Sequence, residues 1–198
     1  MAEPSGGTPA GASVALRDRR IFVGVTGGIA AYKVAMVVSR LAQSGASVTV
    51  AMTEAATRFV TPLTFQALSA RPVYTSSWDH LESKDPQHIS LASSLDAAVI
   101  APCTMDCMAN LASGRTSDVV TLILSAIDRR KTPVLLAPSM NAVMWAQPST
   151  QRNLATLIED GFQIVGPDDG WQACRTNGTG RMSEPEAILA ALATAMKK

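Results

Sequence analysis

The chain has 198 residues, 47% of them hydrophobic and 17% charged, with a formal net charge of +1. That size and apolar content indicate one domain with a real core and exclude a disordered chain. Near-neutral charge argues against a dedicated nucleic-acid binder, and no apolar run is long enough to span a bilayer.

In chain order, residues 1–20 are rich in Gly, Ala, Ser and Pro and lack a signal peptide's apolar core. They read as a flexible tail of little function, leaving residues 21–198 as the domain. Residues 21–26 form a compact apolar strand that runs into Gly27-Gly28. A helical pattern follows from Ile29 to about Gln43, closed by Gly45. Strand, glycines and helix can cradle a phosphate, because backbone N–H groups approach an anion at the positive end of the helix. The dinucleotide order G-x-G-x-x-G is missing, so a plain tight turn stays open. Residues 46–51 are the second strand, ending in Met52-Thr53-Glu54. A nicotinamide-dinucleotide enzyme usually places a carboxylate there for a ribose. Here Thr53 comes first, and a hydroxyl suits a phosphate oxygen better than a carboxylate does. Glu54 keeps the dinucleotide alternative open, and Thr53 also reads as the cap of a helix over 54–60. A helix over 62–69 follows.

Residues 73–87 read as a long surface loop. The two histidines of the chain are His80 and His88. His88 closes the loop before a short helix at 89–94 and is the better candidate acid or base, with capping as the plain alternative. Residues 97–101 are a buried strand stopped by Pro102, and Cys103 opens a helix to about Ala112. Thr104 there either holds a phosphate or ring edge, or simply caps. The cysteines Cys103, Cys107 and Cys174 include no CxxC pair, so neither a zinc site nor a disulfide framework is expected, and a reducing cytoplasm fits. Asp118 starts a helix to about Arg130.

Residues 134–137 are another buried strand, stopped by Pro138, and Asn141 sits just beyond the stop. Ligands bind at the carboxyl ends of strands in an open α/β sheet, where an amide offers a donor and an acceptor. On spacing alone Asn141 equally reads as a cap, with Met140, Met144 and Trp145 as core. Pro102 and Pro138 look like neighbouring rims of one crevice. A helix over 148–160 and a strand over 162–165 lead into residues 166–182, too glycine-rich and polar for a core element and read as a mobile flap. Cys174, beside Arg175 and near Arg181, is either an acid or nucleophile of lowered pKa or a loop cysteine packed under the turn. The last helix runs from Glu184 to about Met196. The expected fold is α/β, a single Rossmann-like (flavodoxin-like) three-layer domain with a parallel sheet.

Three signatures make the chain resemble the flavin-containing cysteine decarboxylases, and within them the branch acting on phosphopantothenoylcysteine in coenzyme A biosynthesis. Residues 138–145 match the family's P-x-M-N-x-x-M-W. Residues 173–182 are similar to its substrate flap A-C-G-x-x-G-x-G-R-M, departing at Arg175 where the family usually has glycine. His88 falls where the family's active-site histidine lies. Thr26, Gly27, Gly28 and Thr53 align with its flavin-phosphate contacts. The flavin motif P-A-S-A-N-T appears as Pro102-Cys-Thr-Met-Asp-Cys107: Thr104 keeps a hydroxyl, whereas Asp106 replaces an amide donor with a charge.

The resemblance implies FMN as cofactor and no metal. It implies that the substrate's cysteine side chain is oxidised towards a thioaldehyde, loses CO2 to give an enethiol, and takes its electrons back. His88 would be the base, Asn141 would hold the substrate carboxylate, and Cys174 would supply a proton in the reductive half. Met140 and Arg181 would line the same pocket. The family forms homo-oligomers, commonly trimers with flavin sites at subunit interfaces. Bacterial relatives often carry a fused ligase half, expected here to be a separate protein. Two other readings remain: a decarboxylase of C-terminal cysteines in a peptide natural product, and a non-catalytic FMN-binding regulator of a phosphatase. The first generally lacks the flap signature. The second often loses a catalytic residue or carries a long acidic tail. The flavin prenyltransferases share the fold but not the motif at 138–145.

Overall fold

The computed structural model of the chain describes residues 15–78 and 87–197. Most of the tail, at residues 1–14, and His80 lie outside the described residues. The chain begins with β1 (Arg20–Val25), α1 (Ala31–Gln43), β2 (Ser47–Met52), α2 (Glu54–Thr57), α3 (Pro62–Ser69) and β3 (Val73–Tyr74). It continues through α4 (Gln87–Ser94), β4 (Ala97–Cys103), α5 (Met105–Ala112), α6 (Val119–Ser125) and β5 (Val134–Pro138). It ends with α7 (Ala142–Trp145), α8 (Pro148–Glu159), β6 (Gln163–Ile164), β7 (Asp168–Trp171), β8 (Asn177–Arg181) and α9 (Pro185–Ala195).

Six strands form one parallel sheet in the order β3-β2-β1-β4-β5-β6. Without the two-residue edge strand β3 this is the flavodoxin-like order; with it, the order is that of a dinucleotide-binding fold. Both place the switch point between β1 and β4. Side chains alternate faces along each strand. Ile21, Val23, Val25, Val99 and Leu135 therefore pack with Val34, Val38 and Leu41 of α1 and Ile188 and Leu192 of α9. Phe22, Ile100 and Leu136 pack on the other face with Met108 of α5, Ile123 of α6 and Leu157 of α8. Burial on both faces explains why these strands read as unbroken apolar runs. A Cβ at Gly24 would stand 2.6 Å from Ile100 Cδ1 and 2.7 Å from Val120, so only glycine fits where α6 meets the sheet.

Several boundaries differ from those expected. The tail is shorter than read, because Leu16 is fully buried in the core against the α1 face of the sheet. Burying a leucine side chain is worth about 1.5–3 kcal/mol, which ties the chain down before β1 begins. Pro138 ends its strand as expected, being the last residue of β5, but Pro102 does not. Pro102 lies inside β4, where the register with β5 shifts between Ile100 and Cys103, and Cys103 pairs with Pro138. The helix after Asp118 ends at Ser125 rather than near Arg130, because the Asp128 carboxylate takes the Arg130 N–H and guanidinium and turns the chain. Val73 and Tyr74, expected in a loop, extend the sheet edge. The flap is an antiparallel hairpin, β7 paired with β8. His88 lies within the first turn of α4 instead of before it. Among the described residues no helix is long and apolar enough to cross a membrane.

Candidate active site

A cavity of about 1360 Å³ opens at the carboxyl ends of the strands, across the switch point. The residue directly after each of four strands lines it and carries a hydroxyl: Thr26 after β1, Thr53 after β2, Thr104 after β4 and Ser139 after β5. Three of these hydroxyls also hold the rim together. Thr26 is buried, donates to the Pro102 carbonyl at 2.6 Å and accepts from the Thr104 N–H at 3.1 Å. Thr53 caps α2 by accepting from Ala56 N at 3.3 Å, and Thr104 caps α5 by accepting from Cys107 N at 3.2 Å. The capping readings of Thr53 and Thr104 thus hold, and capping is what points these residues at the cavity.

The β1–α1 turn is drawn in tightly. A Cβ at Gly27 would lie 2.4 Å from Ala55 Cβ, so glycine is what lets α2 press against the turn. The N–H groups of Gly27, Ile29 and Ala30 have no acceptor among the described residues. They stand ahead of the thirteen-residue helix α1, whose dipole favours negative charge there. On the far side Asp106 sits in the first turn of α5 and accepts from Asn110 Nδ2 at 3.1 Å. Asp118 is spent on a capping box, accepting from Val120 N and Thr121 N, each at 2.9 Å. Cys103 and Cys107 are buried free thiols. The hydrogen bond from Cys103, followed by burial, pushes the Cys107 thiol well up, so it stays neutral and unreactive.

The mouth is built by the β5–α7 loop and the β7–β8 hairpin. Met140 N donates to Gly180 O at 2.9 Å. A Cβ at Gly180 would meet the Met140 carbonyl oxygen at 2.3 Å, so the contact requires glycine. Asn141 caps α7: its Oδ1 accepts from Val143 N at 2.8 Å, which fixes which end of the amide faces the mouth. Its Nδ2 then donates to Cys174 Sγ at 3.1 Å and to Gln172 Oε1 at 3.4 Å. Cys174 is exposed, and its thiol pKa is lowered by the Thr176 hydroxyl first and the Asn141 amide second. At the hairpin base, Arg181 and Lys33 both pair with Glu184, which lowers the pKa of that carboxyl, chiefly through Lys33. Two cations thus share one carboxylate.

Ten of the expected site residues, Thr26, Gly27, Gly28, Thr53, Thr104, Asp106, Met140, Asn141, Cys174 and Arg181, line this one cavity. His88 does not: it lies on α4, which packs against α6. Of the residues read as core around Asn141, Met140 and Trp145 pack on the sheet, whereas Met144 is exposed. Sequence reasoning missed Gln172, Lys33 and Ser139. The hydroxyl recurring after each strand was a signal for Ser139; Gln172 gave none, because its partners Asn141 and Ala142 are about thirty residues away.

Comparison with known proteins agrees with this architecture. The Flavoprotein family model matches residues 10–197. The chain is 45% identical over 177 residues to the coenzyme A biosynthesis bifunctional protein CoaBC of Haemophilus influenzae, covering 89% of this chain and 44% of that protein. It is 41% identical over 174 residues to the protein of the same name in Bacillus subtilis, covering 88% and 42%. The chain therefore spans less than half the length of these curated relatives. Among solved structures, a PPC decarboxylase variant complexed with pantothenoylaminoethenethiol superposes with a TM-score of 0.83 at 27% identity, covering 92% of this chain and 100% of that one. The FMN-dependent cysteine decarboxylase SpaF gives 0.78 at 30% identity, covering 92% and 97%. With fold, motifs and family model in agreement along nearly its whole described length, the chain belongs to the Flavoprotein family, among the flavin-dependent cysteine decarboxylases.

Proposed function

We propose that the chain binds FMN and decarboxylates 4'-phosphopantothenoylcysteine to 4'-phosphopantetheine on the route to coenzyme A. The observation that carries this is the meeting of Asn141 and Cys174 side chains at 3.1 Å in the cavity mouth. The donors fit the cofactor. Free N–H groups ahead of α1, with Thr53 beside them, suit a phosphate, and the apolar walls from Ile29, Met105 and Met140 suit a planar ring. Bound FMN supplies reversible two-electron oxidation of the substrate's cysteine side chain.

The chain's own residues supply position and protons. Asn141, oriented by Val143 N–H, presents Nδ2 to the substrate carboxylate. Cys174 has a depressed pKa, which makes its thiol the better proton donor to a carbanion-like product. Arg181 and Lys33 line the cavity as cations that can meet an anionic substrate. The hairpin, docked through Met140 and Gly180, holds Cys174 at the mouth. We further propose a homo-oligomer, a trimer or a multiple of trimers, in which His88 serves as base in the cavity of a neighbouring copy. Its absence from its own chain's cavity supports this, as do the exposed Ile29, Met144 and Trp171 at the mouth.

The test mixes flavin-loaded protein with phosphopantothenoylcysteine, without added reductant, and follows CO2 and phosphopantetheine by mass. Turnover is expected, falling by about a hundredfold or more in Asn141→Asp and His88→Asn. Cys174→Ser should accumulate an oxidised, decarboxylated intermediate. Turnover of cysteine-ended peptides in place of this substrate would move the assignment to peptide natural products. A flavin-loaded protein inert towards both would leave the regulator.

A further inference from the structure

Gln172 is the one buried side chain in the hairpin turn that touches both halves of the mouth. It is only 7% exposed, although its neighbours Trp171, Ala173 and Cys174 are exposed. Its backbone is fixed first: Gln172 N donates to Thr176 O at 2.8 Å, and Arg175 N donates to Gln172 O at 2.9 Å. Its amide then bonds at both ends. Oε1 accepts from Ala142 N at 3.2 Å, from Asn141 Nδ2 at 3.4 Å, from the Thr176 hydroxyl at 3.5 Å and from the Cys174 thiol at 3.6 Å. Nε2 donates to Gly178 O at 3.2 Å. Room for that amide comes from Gly180, where a Cβ would stand 2.9 Å from Gln172 Nε2.

We propose that Gln172 is a positioning residue, whose buried amide holds Asn141 and Cys174 in register across the hairpin. The proposal deepens the reading of those two residues as the reacting pair and rests on it. Asn141 Nδ2 has two protons: one meets Cys174 and the other Gln172. Its Oδ1 is already held by Val143 N–H. Taking away the Gln172 acceptor removes the bond that aims the second proton. The remaining N–H···S contact then stands at an exposed sulfur, where water competes. A buried amide bonded at both ends in this way fixes geometry more than it adds stability.

The test is alkylation of Cys174 by iodoacetamide against pH, on the full chain as purified. Cys174 is the exposed thiol, and Cys174→Ser supplies the blank. Gln172→Met keeps the shape and removes both polar atoms. The alkylation midpoint should rise, making the reaction at neutral pH about three- to tenfold slower. Gln172→Glu keeps an acceptor but brings a negative charge to the sulfur, so its midpoint should rise at least as far. Glu184→Gln, which loosens the hairpin base without touching Gln172, should leave the midpoint in place. An unmoved midpoint in a Gln172 variant that melts cooperatively would overturn the proposal. So would an equal rise in Glu184→Gln, because Gln172 would then be only a staple. The readout needs no substrate: a shifted midpoint without decarboxylation sinks the substrate assignment alone, and decarboxylation with an unmoved midpoint sinks this inference alone.

Discussion

Arg175 stands at the tip of the hairpin with φ of 65°, in the left-handed region that a Cβ disfavours. The flap signature that residues 173–182 resemble has glycine at the matching place, and the backbone supplies the physical reason. Arg175 N must reach Gln172 O while Gln172 N reaches Thr176 O, and that tight turn demands a positive φ. Arg175→Gly should therefore stabilise the folded chain by about 0.5–1 kcal/mol, net of the entropy glycine adds to the unfolded state. The urea midpoint should rise at unchanged slope; a fall would mean that the exposed guanidinium makes a contact worth more than the strain. At this scale the sequence was legible wherever local chemistry decides. The hydroxyls Thr53 and Thr104 directly follow strands, cap helices and face the cavity, all of which follows from position in the chain. Asn141 was legible as a cap for the same reason. Gln172 was not, because nothing local marks a glutamine that closes a bond across the mouth.

The hairpin shows what an element-level reading can and cannot see. Its glycines and polar residues marked residues 166–182 as a flap, yet β7 and β8 pair from Asp168↔Arg181 to Trp171↔Asn177, with a register shift between Asp168 and Asp169. Alternation is the usual sign of a strand, and it is missing here because the hairpin buries little on either face. Close approach replaces apolar packing: a Cβ at Gly178 would come within 2.8 Å of Ala142 Cβ. The hairpin base is instead held by charge, with Glu184, the residue that caps α9, between Lys33 of α1 and Arg181 of β8. The Glu184 pKa is lowered from its ordinary 4.5, so its contribution is fully present above that value and is lost as pH falls through the folded one. Because the carboxylate is 46% exposed, solvent screening keeps that contribution small. Glu184→Gln should lower the melting temperature at neutral pH, and the difference from the parent should shrink towards zero on acidification below the ordinary glutamate range. A difference that persists in acid would make the role of Glu184 one of packing.

At the scale of the molecule, the order of elements alone implied a parallel sheet with a crevice at its carboxyl edge, because apolar runs alternated with helical patterns. What the pattern could not give is the surface that one chain leaves uncovered. Helix α1 buries Ala31, Val34, Val37, Val38 and Leu41 against the sheet. The opposite side carries a second apolar stripe, with Tyr32 61% and Met36 49% exposed, continuing Ile29 at 56% from the turn before it. In the proposed oligomer this second stripe is the surface that a neighbouring copy would cover. The stripe starts at the cavity mouth, so a neighbouring copy seated on it would stand over the flavin pocket, where His88 of the same chain does not reach. Light scattering should return three chains or a multiple for the parent, and smaller species for Tyr32→Glu combined with Met36→Glu. The site itself gives the sharper test. His88→Asn and Asn141→Asp chains, each inactive alone, should regain turnover when unfolded and refolded together. In random mixing about a quarter of the interfaces unite an intact Asn141 with an intact His88 from the neighbour. Recovery near that fraction would place the catalytic base across a subunit boundary. No recovery from a mixture that assembles normally would confine each site to one chain and return His88 to the helix where it stands.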